Sequence, residues 1–374
     1  MITTLFFIPA VMLFFLITLS LIDILKKRKK FSEYPRISFI IPAYNCEGHI
    51  EKTIRSIYAS YPKDKINLYV VNDNSKDSTL QILKGLKKKF KFYLTNQIEN
   101  LGKTESINRA SKLVKDKFIF IVDSDMILNK RGIDDIITRF ENNSNLGGVS
   151  CRYSEVSNRF FRVLQDFEYS MLSLFLLSFN SYSTISLFGG CIAVRKKALN
   201  EVRGFTLNAA AEDIDMALKL KKFGWKVEQS PIAFQTQAMD TFKRWANQKI
   251  RWSTGVMQCF IKYGKDVYLK NPIVLLYVCI SLFSIYFSIQ NILLLRNSQV
   301  ESSFFDWIGE KILFSVFVLP YALISIRKPT EIFKIFLIFP YALCYIPLRF
   351  ILMLVGFSKG IYRHFTLGDN QRGW

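Results

Sequence analysis

Two aspartates on either side of one serine, Asp123 and Asp125 in "IVDSDM", close a short apolar run. Carboxylates at this spacing suit a hard divalent cation that keeps its other positions for phosphate oxygens. An ordinary turn is the competing reading. It is the weaker one, because the preceding run is too apolar to be a surface strand. A second acidic group, Glu212, Asp213 and Asp215 in "AAAEDIDMALKL", stands where a helical pattern begins. Acids there complement the helix dipole, and that dipole should keep a carboxylate ionised, as a general base requires. Asp73 in "VVNDNSKDST" follows another apolar run. It can accept from a base or ribose edge, and it is equally a turn-former and helix cap. Last, "QKIRW" puts Gln248, Arg251 and Trp252 at i, i+3 and i+4, on one face of a helix, with Arg244 a turn earlier. That face is either one wall of a reaction site or, with Trp245 seven residues before Trp252, a pair of anchors at a lipid interface.

The acids need elements to hold them. "RISFIIPAY", "INLYVVNDNS" and "KFIFIVDSDM" read as buried strands, and "EGHIEKTIRSIYAS" and "KDSTLQILKGLKKKF" between them as helices. Strands alternating with helices predict a parallel sheet with right-handed crossovers. Ligands of such sheets bind beyond the carboxyl ends of the strands, where Asp73, Asp123 and Asp125 fall. Residues 35–263 are therefore expected to form one α/β domain.

The 374 residues are 50% apolar and carry a net charge of +21. That charge fits nucleic acid, an anionic lipid surface or an anionic substrate, and the apolar runs favour the membrane. The six cysteines are scattered, which leaves no zinc knuckle and no redox pair. With two histidines, His49 and His364, any catalytic metal must rest on oxygen ligands. Residues 1–25 are an apolar run whose single charge is Asp23, long enough to cross a bilayer. The basic cluster "KKRKK" follows the run, which is the wrong order for a signal peptide. It predicts a cytoplasmic domain at the plasma membrane, with the N-terminus outside. Residues 160–179 suggest a helix in the membrane interface, with a buried domain helix as the alternative. Residues 272–357 hold three apolar stretches, at 273–295, 312–326 and 332–357. The last contains Pro340 and Pro347, which kink it or make it re-entrant. Residues 358–374 form a basic tail.

Taken in order, these motifs resemble the membrane-embedded synthases of glycosyltransferase family 2, the group of hyaluronan, chitin, cellulose and poly-N-acetylglucosamine synthases. "IIPAYNCEGHI" looks like the first strand and its nucleotide-contacting turn, which makes Pro42, Tyr44 and Glu47 donor contacts. "VVNDNSKDST" looks like the Asp-Asp-Gly-Ser cluster with Asn74 in the second acidic place, so Asp73 alone is carried over. "ENLGKTESINRA" implies that Lys103 lies near the diphosphate. "DSD" matches the metal motif, with Asp123 and Asp125 holding Mg²⁺ or Mn²⁺. "FGGCIAVRKKAL" resembles the acceptor-side strand, bringing in Gly189 and Gly190. "AEDIDMALKL" resembles the Thr-Glu-Asp motif with Ala211 in place of Thr, which makes Asp213 the catalytic base and Glu212 its acceptor-side neighbour. "QKIRW" fits Gln-x-x-Arg-Trp, with Gln248 and Arg251 on the phosphates and Trp252 stacked on the acceptor sugar. The spelling "EDID" and the ending "RW-x-x-G" lean toward the poly-N-acetylglucosamine synthases.

The resemblance implies a GT-A-type (Rossmann-like) cytoplasmic domain flanked by transmembrane helices. It implies an inverting transfer of GlcNAc or Glc from a UDP-sugar to a growing β-linked polysaccharide, with secretion coupled to it. The alternative is a single transfer to a membrane lipid acceptor, kept open because about four apolar segments make a thin channel. A basic membrane-anchored binding protein is the third reading, and it leaves the acids unexplained. No nucleic-acid role is implied, and the oligomeric state stays open.

Overall fold

The structure is a computed structural model that describes residues 2–155, 159–207, 209–268 and 329–367. Its centre is a seven-stranded sheet in the order β3-β2-β1-β4-β6-β5-β7. The strands are β1 (Ile37–Ala43), β2 (Ile66–Asn72), β3 (Tyr93–Asn96), β4 (Phe118–Val122), β5 (Leu146–Glu155), β6 (Cys191–Arg195) and β7 (Lys226–Thr236). Period-two alternation sorts their side chains to two faces. Phe118, Phe120 and Val122 of β4 join one apolar core with Phe39 and Ile41 of β1. Ile119 and Ile121 join the other, with Ile40. Helices cover both faces, which is why the strands read as continuous apolar runs.

The helices are α1 (Ile2–Leu25), α2 (Ile50–Ser60), α3 (Thr79–Lys87), α4 (Lys103–Leu113), α5 (Lys130–Asn142), α6 (Phe160–Ser178), α7 (Lys196–Glu201), α8 (Glu212–Lys222) and α9 (Phe242–Tyr263). After the undescribed stretch, residues 329–345 are helical with changes of pitch, and α10 covers Ile346–Leu367. The change from 3-10 to wider turns falls around Pro340, which removes an intrahelical donor.

The sheet is mixed rather than purely parallel. β1 pairs in parallel with β2 and β4, but β6 runs antiparallel to both β4 and β5. The reason is its entry point. The segment before β6 arrives at the carboxyl end of β4, where the Asp123 N–H donates to the Gly190 carbonyl at 2.8 Å, so β6 must run back. The sequence showed a strand in "CIAVR" but carried no signal of its direction.

Among the described residues no helix is long and apolar enough to cross a membrane. The stretches 273–295 and 312–326 lie outside the described residues. The end of α1 is tied to the domain. Asp23 is buried and accepts from Arg28 at 2.6 Å, Arg139 at 2.9 Å and Asn180 at 2.9 Å. α6 is buried through most of its turns, from Val163 to Ser170 without a break. Its acids are satisfied inside the fold, since Asp166 accepts from the Glu155 N–H at 2.9 Å and Glu168 pairs with Lys249 at 2.8 Å. This is the buried domain helix weighed above against the interfacial one. α10 lies along α9 through two glycines. A Cβ on Gly356 would sit 2.7 Å from the Ile250 carbonyl, and one on Gly360 would sit 2.9 Å from the Thr254 carbonyl. Since α10 runs on to Leu367, the expected boundary at 357/358 falls inside a helix.

Candidate active site

The site is assembled at the carboxyl ends of β1, β2 and β4 and the starts of α4 and α8. Lys103 opens α4 after Gly102, whose φ of 87° suits a residue without a side chain. Its Nζ lies 2.7 Å from Asp123 Oδ1 and 2.6 Å from Glu212 Oε1. One ammonium therefore joins the Asp-x-Asp motif to the Glu-Asp motif, which are about ninety residues apart in sequence. Burial opposes the charge on Lys103, but the two carboxylates outweigh burial and hold its proton more tightly than in free lysine.

Negative charge still exceeds positive. Burial, with the charges of Asp125 and Glu212, raises Asp123 to about 6 against the pull of Lys103. Burial also raises Asp125. Burial and then the Glu212 charge push Asp213 up to about 7. Glu212 moves the other way, since Lys103 and Arg251 overcome its burial. Loss of water and the neighbouring carboxylate thus act on Asp213 against the helix dipole, which favours its ionised form. A carboxylate near 7 suits a group that must both take and hold a proton near neutrality.

Each residue named from the sequence has a definite place. Gly189 faces Asp213, and a Cβ there would meet Oδ2 at 2.8 Å. Gly190 donates its N–H to the Tyr153 hydroxyl, and a Cβ there would strike Met126 Sδ at 2.7 Å. Asp73 is 3% exposed and turned into its own chain. Its oxygens accept from Leu101 N, Gly102 N and Gln97 Nε2 at 2.8, 2.8 and 3.0 Å. That is the turn-forming role named above, and it sets the loop that delivers Lys103. Pro42 lies on β1 opposite Val71 of β2. Tyr44, the residue after β1, is 49% exposed. Glu47 accepts from Ser78 N at 2.9 Å, which locks the β1 turn to the start of α3.

On α9, Gln248 has a buried Oε1 with no hydrogen-bond partner among the described residues. A buried orphan acceptor of this kind calls for a ligand or water. Arg251 is exposed and acts electrostatically on Glu212. Trp252 is partly buried against the first core. Trp245 is not an interfacial anchor: it is 0% exposed, and its Nε1 donates to the Tyr345 hydroxyl at 2.8 Å. Arg244 lies on the surface and pairs with Asp240 at 3.5 Å. Asp215 leaves the site to bind Lys262 at 2.9 Å and Tyr263 at 2.8 Å, fastening α8 to α9.

Several residues escaped sequence reasoning. Gly255 lets α9 touch the base motif, since its Cβ would lie 2.5 Å from Ala211 Cβ. The "RW-x-x-G" spelling was the available signal. Tyr153, Tyr169 and Phe188 form an aromatic cluster, with ring centroids 5.7 and 4.9 Å from Tyr153. A cleft of about 370 Å³ beside Asp125 is lined by His49, Lys52, Glu155, Arg162 and the Gln235–Gln237 stretch. These residues come from four separate elements, and no local pattern links them.

No group of three or more His, Cys, Asp or Glu among the described residues could cage a metal ion. The donor set still fits a hard cation. Asp123 and Asp125 supply oxygen, burial raises the proton affinity of both and neighbouring carboxylates add to it at Asp123, and Mg²⁺ or Mn²⁺ takes few protein ligands when phosphate completes the sphere.

Residues 38–203 match the family described as Glycosyl transferase family 2. Over that stretch the chain is similar to the glycosyltransferases of that family. The match covers β1 to α7 and ends before α8 and α9. Among curated relatives, a probable glycosyltransferase, YdaM, of Bacillus subtilis (strain 168) is 24% identical over 251 residues, 64% of this chain and 60% of that protein. A poly-beta-1,6-N-acetyl-D-glucosamine synthase of Staphylococcus epidermidis is 26% identical over 225 residues, 59% of this chain and 54% of that protein. The chain thus spans little more than half the length of the curated relatives it matches. The fold is similar to that of mannosyltransferase PcManGT from Pyrobaculum calidifontis, solved with GDP-Man and Mn²⁺. The TM-score is 0.62 at 17% identity, over 97% of this chain and 99% of that one. The likeness is one of fold.

Proposed function

We propose that the chain is an inverting membrane glycosyltransferase that moves GlcNAc or Glc from a UDP-sugar to a growing β-linked polysaccharide. The observation that carries this reading is the Lys103 bridge, which brings Asp123 and Glu212 within 2.7 and 2.6 Å of one ammonium, beside Asp213. Cation, metal motif and base motif form one cluster. The leaning to N-acetylglucosamine rests on the "EDID" and "RW-x-x-G" spelling and on the relatives named for that polymer.

The residues divide the work. Pro42, Tyr44 and Glu47 form the nucleotide edge, and Asp73 supports it from behind by holding the Leu101–Gly102 loop. Lys103, Gln248 and Arg251 face the diphosphate and offset the charge that develops as it leaves. Asp123 and Asp125 would hold Mg²⁺ or Mn²⁺, which supplies Lewis-acid neutralisation of the same charge. Asp213 takes the proton from the acceptor hydroxyl on the opposite side of the sugar. Glu212, Gly189, Gly190 and Trp252 border the acceptor, the glycines leaving room for it beside Asp213 and the indole offering an apolar face. Membrane placement with a cytoplasmic domain rests on the apolar run 1–25 and the basic cluster after it.

A second reading, single-sugar transfer to a membrane lipid, is favoured by the small number of apolar segments in the sequence. One experiment separates the two: incubate the purified chain in lipid with labelled UDP-GlcNAc or UDP-Glc and Mn²⁺, then size the products. Long polymer is expected. A single glycolipid band would replace the first reading with the second, and no consumption of either donor would overturn both.

A further inference from the structure

Directly behind the QKIRW face lies a buried ionic cluster that none of the motif roles uses. Lys249, between Gln248 and Arg251, is 0% exposed. Its Nζ lies 2.8 Å from Glu168 of α6 and 3.9 Å from the centroid of the Trp252 ring. The same ammonium is 5.3 Å from the Tyr169 ring. Glu168 also accepts from Arg349 of α10 at 2.9 Å and from the Tyr345 hydroxyl at 2.6 Å. Arg349 then reaches back to Ser253, the residue after Trp252, at 3.2 Å.

Burying two or three charges is costly and seldom adds net stability over apolar packing. A cluster kept at that cost has a use in fixing geometry. Here it fixes one ring. A desolvated ammonium over an indole face is among the stronger cation–π arrangements, and it is directional. Glu168 keeps that ammonium from moving away from the ring. α6 and α10 in turn hold Glu168, with α10 seated on α9 through Gly356 and Gly360. The indole that borders the acceptor is therefore positioned from α6 and α10, through Glu168 and Arg349.

We infer that Lys249, held by Glu168, is a positioning residue that sets the Trp252 indole for the acceptor saccharide, so that acceptor affinity is tuned from α6 and α10 independently of the donor. This rests on the proposed glycosyl transfer for its kinetic meaning, but the placement of the ring can be read without turnover.

The test compares the full chain with Lys249→Met and Lys249→Arg. In Lys249→Met, Glu168 keeps Arg349 and Tyr345 as partners, so the fold has no stranded carboxylate. With UDP-GlcNAc as donor and an N-acetylglucosamine oligosaccharide as acceptor, Lys249→Met should raise the acceptor KM about tenfold, the factor that loss of a desolvated cation–π contact can give. The donor KM should stay unchanged, and Lys249→Arg should restore the acceptor KM. In parallel, the emission of Trp252, taken as the difference between each protein and its Trp252→Phe counterpart, should shift in Lys249→Met and return in Lys249→Arg. Equal loss of donor and acceptor affinity with a lowered Tm would show a merely structural role and overturn the inference. An unchanged acceptor KM with unchanged emission would overturn it as well. If the wild type consumed no sugar nucleotide, the transfer reading would fall, and the emission comparison alone would decide whether Lys249 positions the ring.

Discussion

Asp213 carries the sharpest consequences at the scale of single residues. Its proton affinity is raised to about 7 by burial and by Glu212. If it must be ionised to accept a proton, kcat/KM should fall as pH drops through about 7, with a limb that a pH–rate profile would reveal. The same shift has a stability sign. The folded protein holds this proton up to about 7 while the unfolded chain releases it near the ordinary aspartate value of 3.8. Between those values folding takes up a proton, so stability falls as pH rises and the full penalty is present above 7. Asp213→Asn should therefore raise Tm at pH 8, and by less at pH 5, in thermal melts at the two pH values. The acids were legible because they interrupt apolar runs at strand ends. Lys103 was legible by resemblance only, and its two-carboxylate bridge needed the fold, since its partners lie 20 and 109 residues away. Lys249 left no trace in the sequence, because a buried charge on an amphipathic helix looks like one more surface residue, and Tyr153 left none because one more aromatic residue on an apolar strand marks no role.

At the scale of elements, the close approach of α9 to α8 rests on one missing side chain. Gly255→Leu would drive a Cβ to within 2.5 Å of Ala211 Cβ and 2.9 Å of its N. Overpacking of this kind costs about 1–3 kcal/mol, and here it would also move Arg251 and Trp252 relative to Asp213. The expected result is a lower melting temperature together with lost transfer. Gly85→Ala, in α3 with nothing within 4 Å of the new Cβ, should be neutral or stabilising. β1, β2 and β4 were legible because they are buried on both faces and end in turn residues. The reversed direction of β6 was not, since a five-residue apolar strand reads the same either way.

For the whole molecule, the apolar ends were the hardest to read. Apolar composition tells that a segment is buried but not in what. In residues 332–357 the polar side chains Lys334, Tyr345 and Arg349 each bind an acid, contacts that only the fold reveals. Arg139 shows how the first helix is joined to the rest. It is 0% exposed and pairs with Asp23 of α1, Asp135 of α5 and Glu228 of β7 at 2.9, 2.8 and 2.9 Å. Arg139→Met would remove one partner from each of those carboxylates, while Asp23 keeps Arg28 and Asn180, and breaking a buried pair from one side costs up to about 3–5 kcal/mol. Limited proteolysis should then cut between α1 and β1, where the wild type resists. The claim that joins all these scales is that one cluster binds a nucleotide diphosphate through the Asp-x-Asp side and moves a proton through Asp213. The most direct measurement is to compare Asp213→Asn with the wild type for UDP-GlcNAc transfer and for UDP binding in Mn²⁺. Transfer should fall by about 10²–10⁴-fold, the range for a lost general base, while UDP affinity stays within about twofold. Transfer retained, or UDP affinity lost along with it, would contradict the assignment.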